Sequence, residues 1–134
     1  MLRGNIADEV DLPEPAGLDQ DVFNERRLLE RLMDDRQLAG IVLQAFLQDI
    51  PSQLEDLRMR FGEHDASGIR FRVHTLKGAA AVVSATRLRA VLADIERAVA
   101  TSRIDECGVL LSRANREFLR FRKSIEGSGW PLRG

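Results

Sequence analysis

His74-Thr75-Leu76-Lys77-Gly78 places a nucleophile, a cation and a residue without a side chain within five positions. A neutral imidazole is a nucleophile near neutral pH, because a free histidine titrates near 6.5. If that imidazole accepts a phosphoryl group, about two negative charges arise on the protein surface. Backbone N–H groups in the middle of a helix are already bonded, so these charges need a side-chain cation. Lys77 stands one turn after His74 and can supply it; Arg70, one turn before, is a second candidate. Residue types and spacing also allow a plainer reading, in which His74 and Lys77 are two ordinary solvated side chains.

A helix carrying this stretch must show His74 to water and bury something else. With His74 as the zero of a helical wheel at about 100° per residue, Ile69, Val73, Leu76, Ala80 and Val83 fall on roughly the opposite side. Arg70, Lys77, Gly78, Ala81 and Ala85 surround the histidine. Helical side chains lean back over the preceding turn, so Lys77 leans towards the imidazole and Gly78 leaves it uncovered. Glycine inside a helix costs about 1 kcal/mol relative to alanine. Open approach to His74 is one reason to tolerate it, and close packing of a neighbouring helix is the other.

Other chemistries lack their residues. The chain has no GxxxxGK[ST] phosphate loop, no GxGxxG, no HExxH and no Glu-x-x-His pair. The two histidines, His64 and His74, lie on different predicted elements, so no metal site is expected, and His64 reads as a solvated loop residue. Cys107 is the single cysteine, which excludes an intrachain disulfide and a Cys-based zinc site. No cofactor of the chain's own is expected, and the motifs that would build an enzyme's site are missing from the sequence.

Twenty Lys and Arg against 21 Asp and Glu give a net charge of -1, with no general case for nucleic acid or an anionic membrane. Arg113, Arg116, Arg120, Arg122 and Lys123 form a basic run in the last helix. Glu117 and Glu126 interrupt it without interleaved aromatic residues, so it reads as a solvated face. No apolar run approaches the roughly 20 residues that span a bilayer. Membrane insertion is not expected, and a cytoplasmic monomer is.

Residues 1–17 carry four acids with Pro13 and Pro15 and read as an acidic linker. The leader suits an interdomain linker, whereas Met1 suits an independent gene product. Val22, Phe23, Leu28, Leu29 and Leu32 then make a short amphipathic helix, with Asp34 or Asp35 to cap the next. A second helix over about 36–61 has Leu38, Val42, Ala45, Phe46, Ile50, Leu54, Leu57 and Phe61 on its apolar side. Pro51 should kink or divide it, and Gly62 should end it. Asp65 is the expected cap of the His74 helix, which finishes near Ser84. Leu88, Val91, Leu92, Ile95 and Val99 mark a fourth helix over about 86–101. Asp105 is placed to cap the fifth, where Cys107, Leu111, Ala114, Phe118, Phe121 and Ile125 keep a bundle spacing. Residues 127–134 form a tail from which Trp130 or Leu132 could dock. The fold expected is all-α, an antiparallel up-and-down four-helix bundle over 18–126 with a short extra N-terminal helix.

Val73-His74-Thr75-Leu76-Lys77-Gly78-Ala79-Ala80-Ala81 closely resembles the His-x-Leu-Lys-Gly signature of histidine-containing phosphotransfer (HPt) domains. Phe46-Leu47-Gln48-Asp49-Ile50-Pro51 with Leu54 and Leu57 resembles that family's second bundle helix, in-helix proline included. Asp65, Leu88 through Leu92, and Ile95-Glu96 also fit. The resemblance implies a phosphorelay carrier. His74 would accept a phosphoryl group from the aspartyl phosphate of one receiver domain and pass it to another, the receivers belonging to response regulators or hybrid histidine kinases. Lys77 would be the charge partner and Gly78 the residue giving access. Ser67, Phe71, Ala81, Val82 and Ala85 would form the partner surface, and Mg²⁺ would sit on the receiver. A bundle that binds receivers or kinases without accepting phosphate is the alternative. Val82 and Ser84 depart from the family's usual Asn and Gly. Ser84 must therefore adopt a left-handed conformation or cap the next helix.

Overall fold

Side-chain caps divide the chain into helices. The computed structural model describes residues 22–130, so the expected linker over 1–17 and Leu132 lie outside the described residues. Asn24 Oδ1 accepts the Arg27 amide at 3.1 Å, Asp35 Oδ1 the Leu38 amide at 2.9 Å, and Asp65 Oδ1 the Gly68 amide at 2.9 Å. Each satisfies an orphan donor of a first helical turn. They open α1 (Glu25–Arg31), α2 (Arg36–Gly62) and α3 (Ala66–Val82). Val22 and Phe23 therefore precede α1, because Asn24 starts it. Helices α4 (Thr86–Ala100) and α5 (Cys107–Gly127) begin without a side-chain cap. Asp105 caps nothing: it lies in the 3₁₀ turn Ile104–Glu106, where the Glu106 amide donates to Arg103 O at 3.0 Å before α5 begins.

Four helix ends use one device. Met33, His64, Ser84 and Ser102 take positive φ values of 57°, 55°, 59° and 61°. In each case the next amide reaches back five residues, from Asp34 to Leu29 O, Asp65 to Arg60 O, Ala85 to Ala80 O, and Arg103 to Ala98 O, at 2.7, 3.0, 2.9 and 2.7 Å. This is the Schellman pattern, filled here by residues that pay more than glycine for the left-handed conformation. Gly62 is the last helical residue of α2 and does not make the turn, contrary to the sequence expectation; His64 does. Ser84 takes the left-handed alternative and leaves α4 uncapped.

Consecutive helices pack on one another from α2 to α5, and α5 closes the ring on α2. The three-residue connections 63–65 and 83–85 force their flanking helices to run antiparallel. The result is an all-α bundle with α1 as an extra N-terminal helix. Leu43, Ile50, Leu57, Ile69, Val73, Leu76, Leu92, Ile95, Phe121 and Ile125 are its fully buried centre. The apolar positions expected for α3, α4 and α5 are all buried. Those of α2 shift by one residue in its first half, where Ala39, Leu43 and Leu47 are inside while Leu38 and Ala45 are exposed. The spacing 39, 43, 46, 50 runs on without a break into Leu54 and Leu57, whereas 38, 42, 45 lags by about 100°.

Pro51 does not divide α2. A proline cannot donate to the carbonyl four residues back, which leaves Leu47 O without its helical partner. The Arg122 guanidinium donates to that oxygen at 3.3 Å, and its carbon lies 5.2 Å from the centre of the Phe118 ring. Arg122 thus leaves the basic run of α5 to mend α2.

Helix α1 closes one end of the bundle. Arg31 donates to Ala81 O, to Val82 O at 3.2 Å and to Ser84 Oγ at 3.3 Å, so it covers the exposed carbonyls at the C-terminus of α3. The Asn24 amide donates to Ser84 O at 3.0 Å. Trp130 docks in the same region, buried beside Phe23 with its ring 4.2 Å from the Arg36 guanidinium carbon. Phe121 joins this end to the core, with ring centres 5.4 Å from Phe23 and 5.1 Å from Phe46. Phe121→Ala should therefore lower unfolding free energy by about 3–5 kcal/mol in urea titration. Val109→Ala, at an exposed position on the same helix, should change it by less than about 0.5 kcal/mol; equal losses would contradict this packing.

Candidate functional site

Helix α3 is held in one rotation by polar ties on both flanks of its buried stripe. Towards α2, Arg72 Nε donates to Asp56 Oδ2 at 2.9 Å, and Arg60 Nε donates to the same oxygen at 2.7 Å. The two guanidiniums hold the Asp56 carboxyl below the usual carboxylate range. Towards α4, Lys77 Nζ donates to Glu96 Oε1 at 2.5 Å. Ile69, Val73, Leu76 and Ala80 lie between these ties, inside the core.

That rotation turns His74 outward, with its side chain 78% exposed. Its Nδ1 faces Glu96 Oε2 at 3.8 Å, so one carboxylate serves both the imidazole and the lysine. Lys77 and Glu96 are much less exposed, at 24% and 29%, and lie in the groove between α3 and α4. Lys77 thus bonds Glu96 and not the imidazole towards which its helical position leans it. The lysine hydrogen bond lowers the Glu96 pKa, burial partly opposes it, and the charge of Lys77 and of His74 when protonated adds to the lowering. Sequence reasoning noted Glu96 only as part of a resemblance. Its position beside Ile95, on the edge of an apolar stripe, was the available signal.

Gly78 lies on the exposed face one turn after His74. A Cβ built there would meet nothing within 4 Å. No neighbouring helix needs the space, which removes the close-packing explanation. Ser67 and Arg70 are exposed on the same face, and Arg70 makes no hydrogen bond or ion pair with the described residues. Phe71 and Val82 are large apolar side chains left 64% and 51% exposed, and Ala81 is half-buried. Ala85 does not belong to this surface: it follows the end of α3 and is fully buried, so the helical wheel that placed it beside His74 does not reach it. The Thr75 hydroxyl is occupied, donating to Phe71 O at 3.1 Å. Among the described residues no group of three His, Cys, Asp or Glu side chains could hold a metal ion.

A family model, the Hpt domain, matches residues 41–126. The chain belongs to the Hpt domain family. The match spans most of α2, the whole of α3 and α4 and all but the last residue of α5, and with them the His74 surface. Hpt domains are phosphotransfer modules of phosphorelays and interact with receiver domains. Neither curated proteins nor solved structures gave a match. No helix among the described residues is long and apolar enough to cross a membrane.

Two measurements probe this geometry. The folded-state pKa of Glu96 is depressed, so its carboxylate stabilises the fold above the ordinary value of 4.5, and this is lost as pH falls through the lowered value. Glu96→Gln should therefore flatten the loss of stability below pH 4.5 relative to wild type, with a cost at neutral pH below about 1 kcal/mol. Parallel acid profiles would contradict the tie. Gly78→Ala should raise stability by up to about 1 kcal/mol in thermal unfolding, since the added methyl meets no neighbour; a loss would reveal a hidden packing role.

Proposed function

We propose that His74 is the phosphoacceptor of a phosphorelay carrier, loaded by the aspartyl phosphate of one receiver domain and discharged to the aspartate of another. The observation that carries this reading is the orientation of the imidazole. Nδ1 lies 3.8 Å from Glu96 Oε2, so the carboxylate favours the tautomer with its proton on Nδ1, which leaves the lone pair of Nε2 for the incoming phosphoryl group. Nε2 attacks the phosphorus of the incoming acyl phosphate, and the bond from phosphorus to the aspartyl oxygen breaks. The receiver regains its carboxylate, and His74 becomes a phosphoimidazolium that keeps the Nδ1 proton. Its positive ring faces Glu96, while its phosphoryl oxygens face outward. Discharge is the reverse, with the second receiver's carboxylate attacking phosphorus and Nε2 leaving with its electron pair.

Lys77 supplies the cation for the phosphoryl oxygens, from a position 2.5 Å from Glu96. Gly78 keeps the approach open, and Ser67, Phe71, Ala81 and Val82 contact the receiver, with Phe71 and Val82 as apolar anchors. Mg²⁺ belongs to the receiver's own acidic site. Arg70, exposed one turn before His74, is a second source of positive charge for the incoming acyl phosphate.

Incubation with a radiolabelled, phosphorylated receiver domain tests the assignment. Wild-type protein should take up label, and His74→Gln, with an unchanged helical circular-dichroism spectrum, should take up none. Label surviving in that variant would sink the assignment. Lys77→Ala should slow transfer on the order of 100-fold in rapid-quench experiments while the bundle stays folded. Unaltered kinetics would remove lysine from the mechanism.

A further inference from the structure

Glycine at position 68 lets a chain of ion pairs close between α2 and α3. A Cβ built at Gly68 would overlap Asp65 Oδ2 and the Arg60 guanidinium. Both are the ends of flexible side chains, so alanine would push them aside and leave the backbone in place. With glycine there, Arg60 Nη1 reaches Asp65 Oδ2 at 3.4 Å while its Nε donates to Asp56 Oδ2 at 2.7 Å. Asp65 also caps α3 through Oδ1, so the chain starts at the first turn of the histidine helix. It returns to α3 at Arg72, which donates to Asp56 Oδ2 at 2.9 Å and to Gln53 Oε1 at 3.4 Å.

Arg72 carries this order to the surface. Its guanidinium carbon lies 6.0 Å from the centre of the Phe71 ring, at the outer limit of a cation–π contact. Phe71 is exposed, and covering it with a partner would freeze its rotamers at an entropic cost. A guanidinium committed to α2 through both Nε and Nη1 cannot follow a moving ring, so it holds one side of the ring's surroundings fixed. A side chain ordered before binding loses less entropy when a partner covers it. The tie on the other flank, Lys77 to Glu96, stands beside His74. The two flanks of α3 therefore serve different groups, the imidazole on the α4 side and the Phe71 ring on the α2 side.

Building on the phosphorelay reading, we propose that Asp56, Arg60 and Gly68 are positioning residues for receiver docking, which act through Arg72 to preset the Phe71 ring. Transfer from a phosphorylated receiver domain, measured over a range of receiver concentrations, tests it. Asp56→Asn and Gly68→Ala, verified as folded, should each raise the half-saturating receiver concentration about three- to tenfold and leave the saturated rate within about twofold of wild type. Glu55→Gln, which removes an exposed ion pair with Arg58 elsewhere on α2, should change neither. Because Asp56 acts through the ring, Phe71→Ala/Asp56→Asn should be no weaker than Phe71→Ala alone. Three-bond couplings of Phe71, which need no receiver, should report one χ1 rotamer in the wild type and averaging in Asp56→Asn. Additive losses in the double variant, a slower saturated rate at unchanged half-saturation, equal effects in Glu55→Gln, or identical couplings in the two proteins would overturn the proposal. No label on the wild-type protein would sink the phosphorelay reading and this docking role with it, whereas the couplings would still separate an ordered ring from a free one.

Discussion

The rotation of α3 about its own axis is the constraint from which the rest follows. A turn of about 100° would exchange a buried position for an exposed one, bringing His74 towards the core or Val73 into water. Burial of Ile69, Val73 and Leu76 supplies the energy that opposes this, about 1.5–3 kcal/mol for each side chain. Arg72 on one flank and Lys77 on the other supply direction, since each finds its carboxylate only in the observed rotation. Arg31 secures the C-terminal carbonyls of the same helix, so even α1 contributes to holding the histidine surface. The histidine is exposed because everything beneath it is fixed.

His74 and Lys77 share one carboxylate. Glu96 receives Lys77 through a short hydrogen bond and faces His74 from the same groove, so a change at any one of the three alters the electrostatics of the other two. A lysine paired this way is held near the imidazole without covering it. Gly78 removes the remaining obstruction, and the open space above it shows that the glycine serves no internal packing. The proposed carrier role needs little more than this from the chain, because a nucleophile with one cation and an open approach has no need of a pocket.

Much of this arrangement was legible in the sequence. Strict helical spacing exposed the buried faces of α3, α4 and α5, because each carries one uninterrupted apolar stripe. The α2 register misled in its first half because Leu38 and Val42 look more apolar than Ala39, and periodicity weighs size over continuity. Helix ends were harder. A left-handed Met33, His64 or Ser102 carries no signal comparable to glycine, and its stability comes from backbone bonds that form only in the folded turn; Ser84 was marked only by its place where the resembled family has a glycine. Glu96 was unreadable as a partner of His74 because it lies on another helix, and only the packing of α4 on α3 brings the two together. The repair of Pro51 by Arg122 depends likewise on a contact across 75 residues of chain.

The ring tautomer of His74 tests the central claim most directly. Long-range ¹H–¹⁵N correlation spectra of the unphosphorylated protein, recorded above the histidine titration range, report which ring nitrogen carries the proton. The account predicts Nδ1–H with an unprotonated Nε2, the reverse of the preference of free histidine, and a return to Nε2–H in Glu96→Gln. An Nε2–H tautomer in the wild-type protein would contradict it.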